Sequence, residues 1–174
     1  MTLREINAFD QDEFVARLGF LCEDSSWVAA EAWYARPFAN LAGLHRALCD
    51  AMYGAPVERQ VALIAAHPDL VGKAALAGAL TPASIGEQAS AGLDRLSPGE
   101  IADFTRLNEA YRNRFGFPFV ICVREHKKEG ILAGFADRLH NPRDREIATA
   151  LGEIAKICRL RLRDVVETDE PTRP

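Results

Sequence analysis

The sequence has little of what marks nucleic-acid-binding proteins and membrane proteins. Its 174 residues include two Met, two Trp and four Cys, and 21 Lys and Arg face 25 Asp and Glu. The formal net charge of −4 argues against a phosphate-binding surface for nucleic acid. No apolar run approaches the roughly 20 residues that a membrane-spanning helix needs. We therefore expect that the protein binds neither nucleic acid nor a membrane.

The four cysteines, Cys22, Cys49, Cys122 and Cys158, are far apart and form no C-x-x-C pair. Because apolar residues surround each one, we expect small buried side chains in a reducing compartment. No two histidines have the i, i+4 spacing of metal ligands, so a metal site is not expected. The sequence shows neither the apolar core of a signal peptide nor a final S-K-L. We expect a cytoplasmic protein.

The dominant feature of the sequence is helical periodicity. Hydrophobic residues make up 48% of the chain, enough for a sizeable core. Apolar residues recur at helical spacing along most of it. This pattern predicts an all-α, bundle-like single domain over residues 1–166, followed by a disordered tail over residues 167–174. The exception is the apolar run 117–123, which predicts a short buried extended segment without a partner strand.

Capping signals place the predicted helices. Asn40 precedes a helix that runs to Tyr53, and Ser97-Pro98-Gly99-Glu100 forms a capping box with proline at the first helical position. Asn141-Pro142 opens a long last helix that ends near Val166. Residues 68–96 are rich in Ala and Gly and predict short helices between loops.

Residues 62–88 contain the first candidate for chemistry. A helix stops at His67-Pro68, because proline disfavours helical backbone at the preceding residue. His67 then lies at a helix C-terminus, where the helix dipole favours imidazolium. Two interpretations stay open on the pattern: a structural histidine at the helix end, or an acid–base group that titrates near neutral pH.

A second candidate follows in the run S-I-G-E-Q, which starts at Ser84. It brings a hydroxyl, a carboxylate and an amide into one short turn. The spacing of Ser84 and Glu87 fits a capping box, which would make both residues structural and put Glu87 in a first helical turn. A helix N-terminus also binds anionic or carbonyl oxygens, so a binding role stays open beside it.

The third candidate is a charged residue on an apolar helix face. Helical spacing joins six residues of the last predicted helix: Ile147, Leu151, Ile154, Cys158, Arg161 and Val165. An unpaired charge on such a face is costly. Arg161 therefore either reaches water or pairs with a structural carboxylate, or else it holds a substrate anion with its planar guanidinium.

Three motifs together resemble those of the OHCU decarboxylases: H-P-D-L-V-G-K from His67, S-x-G-E-Q from Ser84 and F-G-F-P-F-V-I-C-V from Phe115. That family converts 2-oxo-4-hydroxy-4-carboxy-5-ureidoimidazoline (OHCU) to (S)-allantoin in urate catabolism. The resemblance spans roughly residues 5–166. It implies a helical, cofactor-independent decarboxylase of a small ureidoimidazoline, which in this family is often a homodimer.

The resemblance also implies roles for the matching residues. The catalytic residues would be His67, Glu87 and Arg161. The substrate-binding residues would be Pro68, Ser84, Ile85, Gly86, Glu87, Gln88, Phe119, Val120, Ile121, Cys122 and Val123. The last five would act through main-chain groups, although the run is most simply explained as core.

Two other functions remain as hypotheses. An all-helical binding or scaffold protein would bind a ureide without turnover and would tolerate loss of the His67 imidazole. A ureide hydrolase would need an activated water and would release ammonia.

Overall fold

The computed structural model describes residues 1–72 and 80–167. Within those residues the regular structure is helical, and the predicted all-α class is confirmed. An isolated backbone bridge pairs Thr2 with Glu167. The α-helices are α1 (Leu3–Ala8), α2 (Gln11–Leu18), α3 (Trp27–Ala32), α4 (Leu41–Gly54), α5 (Val57–Ala65), α6 (Pro82–Ser90), α7 (Pro98–Phe115), α8 (Lys128–Arg138) and α9 (Arg143–Val165).

The predicted capping signals at Asn40 and Ser97 are confirmed. The Asn40 side chain accepts a hydrogen bond from the Gly43 N–H at 2.8 Å and starts α4. Ser97 and Glu100 form the capping box of α7, with Pro98 in the first turn. Helix α1 is not among the predicted helices, and it starts with a capping box of its own between Thr2 and Glu5.

The chain divides into two compact units. The first contains Met1–Val57 and the chain from Ala155 onward. In it, α3 packs against α2 and α4. The Asn7 side chain ties α1 to the segment before α4, because it donates to the Phe38 carbonyl at 2.9 Å and accepts from the Phe38 N–H at 2.8 Å.

The second unit contains Glu58–Ile154 and has an aromatic core. The rings of Phe119 and Phe135 stack with centroids 3.8 Å apart, and Tyr111 meets Phe119 edge-on at 5.2 Å. Aromatic pairs of this kind contribute about 0.5–1.5 kcal/mol beyond the area they bury. Helices α7 and α8, which supply Tyr111 and Phe135, are in contact.

The predicted extended segment is also confirmed. Residues 118–122 are buried and belong to neither helix nor strand, and a 3₁₀ turn, Val123–Glu125, ends the segment. Within the described ranges, no helix is long and apolar enough to cross a membrane.

Two of the predictions fall partly or wholly outside the described residues. Short helices were expected over residues 68–96, and α6 is one of them, but residues 73–79 lie outside the structural description. The same holds for residues 168–174 of the predicted tail. Its first residue, Glu167, donates its N–H to the Met1 carbonyl at 2.7 Å. A single domain over residues 1–166 stays a prediction.

Candidate active site

His67 lies two residues after the end of α5 and is 4% exposed. Its Nδ1 is 2.9 Å from the carbonyl oxygen of Leu63, one turn back. Because a carbonyl oxygen only accepts, Nδ1 must donate its hydrogen. The neutral imidazole therefore carries its lone pair on Nε2. The helix end gives His67 a defined tautomer and orientation, as an acid–base group requires.

Side chains from α7 hold the loop that follows His67. Arg112 Nε donates to both carboxylate oxygens of Asp69, at 2.9 and 3.0 Å. One turn earlier, Asn108 Nδ2 donates to the Leu70 carbonyl at 2.7 Å. At Gly72, an added Cβ would lie only 2.6 Å from the Cβ of Asp69. The H-P-D-L-V-G run is therefore a tight loop that requires glycine at its end.

Val71 sits in this loop with a φ of 52°, in the left-handed region. A β-branched residue rarely adopts this conformation, which costs of the order of 1–3 kcal/mol. The Val71 N–H donates to Gln88 Oε1 at 3.2 Å. Gln88 thus connects the loop after His67 to helix α6.

Helix α6 starts three residues earlier than the capping-box interpretation requires. Its N-cap is Thr81, whose hydroxyl accepts from the Ser84 N–H at 3.3 Å, and Pro82 occupies the first turn. The prediction that Ser84 is the N-cap and Glu87 a first-turn residue is therefore wrong. Thr81-Pro82 combines a capping hydroxyl with a proline that needs no hydrogen-bond acceptor, and so provides the earlier start.

The five residues of the S-I-G-E-Q motif divide between two sides of α6. Ser84 and Gln88, one turn apart, are buried, and Glu87 beside them is half-buried. Ile85 and Gly86 are exposed, with Ile85 at 49%. The buried side thus presents the hydroxyl, the amide and part of the carboxylate.

The extended segment meets α6 within the second unit, because α6 contacts the 3₁₀ turn at the end of the segment. All of Phe119, Val120, Ile121, Cys122 and Val123 are buried. Phe119 places its ring in the aromatic core, so its main chain is the part that could meet a ligand. Gln88 connects the His67 loop to α6, and α6 contacts the end of this segment. The three predicted regions are thereby joined.

Arg161 belongs to the first unit and is 3% exposed. Its Nη2 lies 2.6 Å from Oε1 of Glu23. Its Nη1 donates to the carbonyls of Phe20 and Leu21, at 3.1 and 3.3 Å. This geometry matches the interpretation in which a carboxylate pairs with the arginine; a contact of Arg161 with substrate stays a prediction. Glu23 was not identified from the sequence.

The second unit also contains a buried polar cluster that is not among the predicted site residues. Glu146 is fully buried and accepts hydrogen bonds from the Tyr111 hydroxyl and from Arg138 Nε, the latter at 2.6 Å. Burial, together with the hydrogen bond to Glu146, raises the pKa of Tyr111 well above its usual range. One signal was available: Arg138 follows Ile131 and Phe135 at helical spacing, the same anomaly as Arg161.

The cysteines are all free thiols, and Cys22, Cys122 and Cys158 are buried as expected. Cys49 is half-buried, and burial raises its pKa to about 11, which disfavours the reactive thiolate. Across residues 1–72 and 80–167, no group of three or more His, Cys, Asp or Glu side chains is placed to hold a metal ion.

The fold and these residues define a helical protein in which a buried histidine of defined tautomer lies at the start of a loop that Gln88 connects to α6. Residues 7–163 match the family model described as OHCU decarboxylase. The chain belongs to the OHCU decarboxylase family.

Curated relatives agree with this assignment over nearly their whole length. A protein named 2-oxo-4-hydroxy-4-carboxy-5-ureidoimidazoline decarboxylase from Amia calva is 43% identical over 167 residues, which cover 96% of this chain and 95% of that protein. A protein of the same name from Haloferax volcanii is 42% identical over 162 residues, which cover 93% of this chain and 94% of that protein.

Solved structures show the same fold. The crystal structure of (S)-allantoin synthase matches with a TM-score of 0.76 at 26% identity; the match covers 98% of this chain but only 55% of that longer chain. A crystal structure of OHCU decarboxylase in the presence of (S)-allantoin matches with a TM-score of 0.68 at 23% identity, covering 83% of this chain and 94% of that chain. At that identity the second likeness establishes the fold alone.

Proposed function

We propose that this protein is a carboxy-lyase that decarboxylates OHCU to (S)-allantoin in the degradation of urate. Membership of the family and the near-complete coverage of its curated relatives support this activity. In the structure, the observation that carries the proposal is the buried His67, whose Nδ1 is bonded to the Leu63 carbonyl.

The chemistry requires little more than orientation and one controlled proton. The carboxylated carbon of OHCU also carries a hydroxyl and is adjacent to a C=N bond. When the bond to the carboxylate breaks, carbon dioxide leaves and the electron pair shifts through the C=N bond to its nitrogen, which takes up a proton. The hydroxyl of the resulting C=C bond then gives up its proton and becomes a carbonyl. As it does so, the neighbouring carbon takes up a proton on one face, which gives the S product. The substrate serves as its own electron sink, so we propose that no cofactor takes part.

His67 is the proposed acid–base group. With Nδ1 bonded to Leu63, Nε2 is the nitrogen that exchanges a proton with the substrate hydroxyl and controls proton delivery. Glu87, half-buried on α6, orients the substrate or His67 and engages hydroxyl or N–H groups. For Arg161 we keep the role that the resemblance implies, which is to hold an anionic or carbonyl oxygen of the substrate.

Substrate recognition is assigned to the remaining motif residues. Ser84 and Gln88 are buried and one turn apart, which suits them to read ureido and ring amides. The Gln88 oxygen already accepts from Val71, so its amide N–H groups are the donors that we assign to the substrate. Pro68 walls the site and restrains His67. The other proposed substrate-binding groups are Ile85, Gly86 and the main chain of Phe119, Val120, Ile121, Cys122 and Val123.

The test generates the unstable substrate in place with urate oxidase and 5-hydroxyisourate hydrolase and follows the circular dichroism of allantoin. Rapid formation of (S)-allantoin, lost in His67→Ala, is the expected result. Racemic allantoin at the spontaneous rate would instead favour a binding protein without chemistry. Release of ammonia would indicate a ureide hydrolase.

We further propose that the chain forms a homodimer and works in the cytoplasm on this small-molecule substrate. Light scattering after size-exclusion chromatography tests the first part, with an expected mass of twice the 19.2 kDa of one chain. A mass of one chain at micromolar concentration would contradict it.

A further inference from the structure

We propose that the buried Arg138–Glu146 ion pair, together with Tyr111, positions the main chain of residues 119–123 for substrate binding. The pair acts on this main chain through Val120. The inference rests on the proposed function, because substrate binding by that segment is itself part of that proposal. None of the three side chains belongs to the family motifs quoted above.

Arg138 joins the segment to the core through three different nitrogens. Nη1 donates to the Val120 carbonyl at 2.7 Å, Nε to Glu146 at 2.6 Å and Nη2 to the Tyr111 hydroxyl at 3.3 Å. The guanidinium carbon also lies 4.4 Å from the centroid of the Phe119 ring. One planar group thus contacts two successive residues of the segment, a geometry that a lysine ammonium cannot reproduce.

Glu146 keeps this guanidinium in place. Besides Arg138 and Tyr111, its carboxylate accepts from Asn141 Nδ2 at 2.8 Å. A fully buried carboxylate needs such a set of donors, since its desolvation is costly. A buried ion pair of this kind adds little net stability compared with apolar packing. Its main effect here is geometric, because Glu146 fixes the orientation in which Arg138 Nη1 donates to the Val120 carbonyl.

A second side chain holds the same segment two residues further on. The Cys122 N–H donates to Glu153 on α9 at 2.8 Å. Extended backbone outside a sheet has no neighbouring strand to set its position, so its N–H and C=O groups need such partners. Arg138 and Glu153 therefore define where the main chain between Val120 and Cys122 lies.

The experiment measures initial rates of (S)-allantoin formation from freshly generated OHCU for Arg138→Lys, Tyr111→Phe and Glu153→Leu. We expect KM to rise about tenfold in Arg138→Lys and less in the other two, with kcat changed much less, because ground-state binding is lost. A purely structural defect would reduce the amount of active enzyme. It would therefore lower the apparent kcat and leave KM unchanged.

The matched control is Arg106→Lys, on α7, where the arginine pairs with Asp103 on the exposed surface at 3.3 Å. Its KM should equal that of the wild type. The double variant Arg138→Lys/Glu153→Leu should raise KM by a factor that differs from the product of the two single effects, because both act on one segment.

An unchanged KM in Arg138→Lys, with a wild type that makes (S)-allantoin, would overturn the inference and leave the proposed function standing. A wild type that makes no (S)-allantoin would instead remove the proposed function. If Arg138→Lys does not fold, Tyr111→Phe serves as the test instead, since it removes only a single hydroxyl. An unchanged KM in Tyr111→Phe equally overturns the inference.

Discussion

Arg161 and Glu23 form an ion pair inside the first unit, with Nη2 2.6 Å from Oε1 and both side chains almost fully buried. The two residues are 138 positions apart in the chain. The charge that the sequence placed on an apolar helix face therefore has a carboxylate partner within the protein. A structural role for this arginine and a proposed catalytic one must now be separated by experiment.

Arg161→Met should destabilise the protein by about 3–5 kcal/mol, because it leaves Glu23 as a buried charge without its cation. The double variant Glu23→Gln/Arg161→Met should recover part of this loss. Urea unfolding measures both. Activity separates the roles: if Arg161 binds substrate, the double variant stays inactive although it is stable. Recovery of activity along with stability would make Arg161 purely structural.

His67→Gln should lower kcat by a factor of about 10²–10⁴, the usual contribution of a positioned acid–base group, while the helical circular dichroism stays unchanged. The control is His45→Gln, since His45 is also partly buried and its Nε2 lies 2.8 Å from the Ala155 carbonyl. This control should retain full activity. Equal losses in the two variants would argue against a special role of His67.

Two substitutions at Gln88 should have different effects. Gln88→Leu leaves the Val71 N–H without its acceptor, which should cost about 1–3 kcal/mol of stability in addition to activity. Gln88→Glu retains an oxygen that can accept from Val71 but removes the amide donors. It should fold with near-normal stability and bind substrate poorly. Thermal unfolding and KM measure the two effects, and a normal KM in Gln88→Glu would exclude Gln88 from recognition.

The acid sensitivity of the fold should depend partly on Glu100. The hydrogen bond from Lys128, and then those within the Ser97 capping box, lower the pKa of Glu100 from its ordinary 4.5 to about 2. A lowered pKa in the folded state contributes stability above pH 4.5, and this contribution disappears as the pH falls from 4.5 toward 2. In Glu100→Gln, urea midpoints should therefore fall less steeply over that interval. An unchanged slope would contradict the assignment.

Much of the local structure was predictable, because its causes lie within a few residues. Asn40 and the Ser97 capping box start their helices where the sequence indicates, and the apolar run before Val123 is extended. The local error at Ser84 also has a local cause, because the capping signal that the structure uses lies three residues earlier, at Thr81-Pro82. The helix starts there because Thr81-Pro82 supplies both a capping oxygen and a preorganised first turn.

The candidate site was predictable only as a set of residues. The motifs around His67 and Ser84 identify candidate groups, but nothing in their spacing predicts that the Val71 N–H reaches Gln88. The tautomer of His67 could be assigned only once its distance to Leu63 was known. These are properties of packing, and they depend on how a loop closes against a helix.

By itself the sequence determined most of the helices, the caps at Asn40 and Ser97, the extended segment and the family of the protein, since these follow from periodicity, local hydrogen bonding and motifs. The tertiary structure alone decided which charges meet. Glu23 pairs with Arg161, and Glu146 with Arg138, because burial in a low-dielectric core makes an unpaired charge costly wherever its partner lies along the chain. Those pairings, rather than any local pattern, place Arg161 and the main chain at Val120.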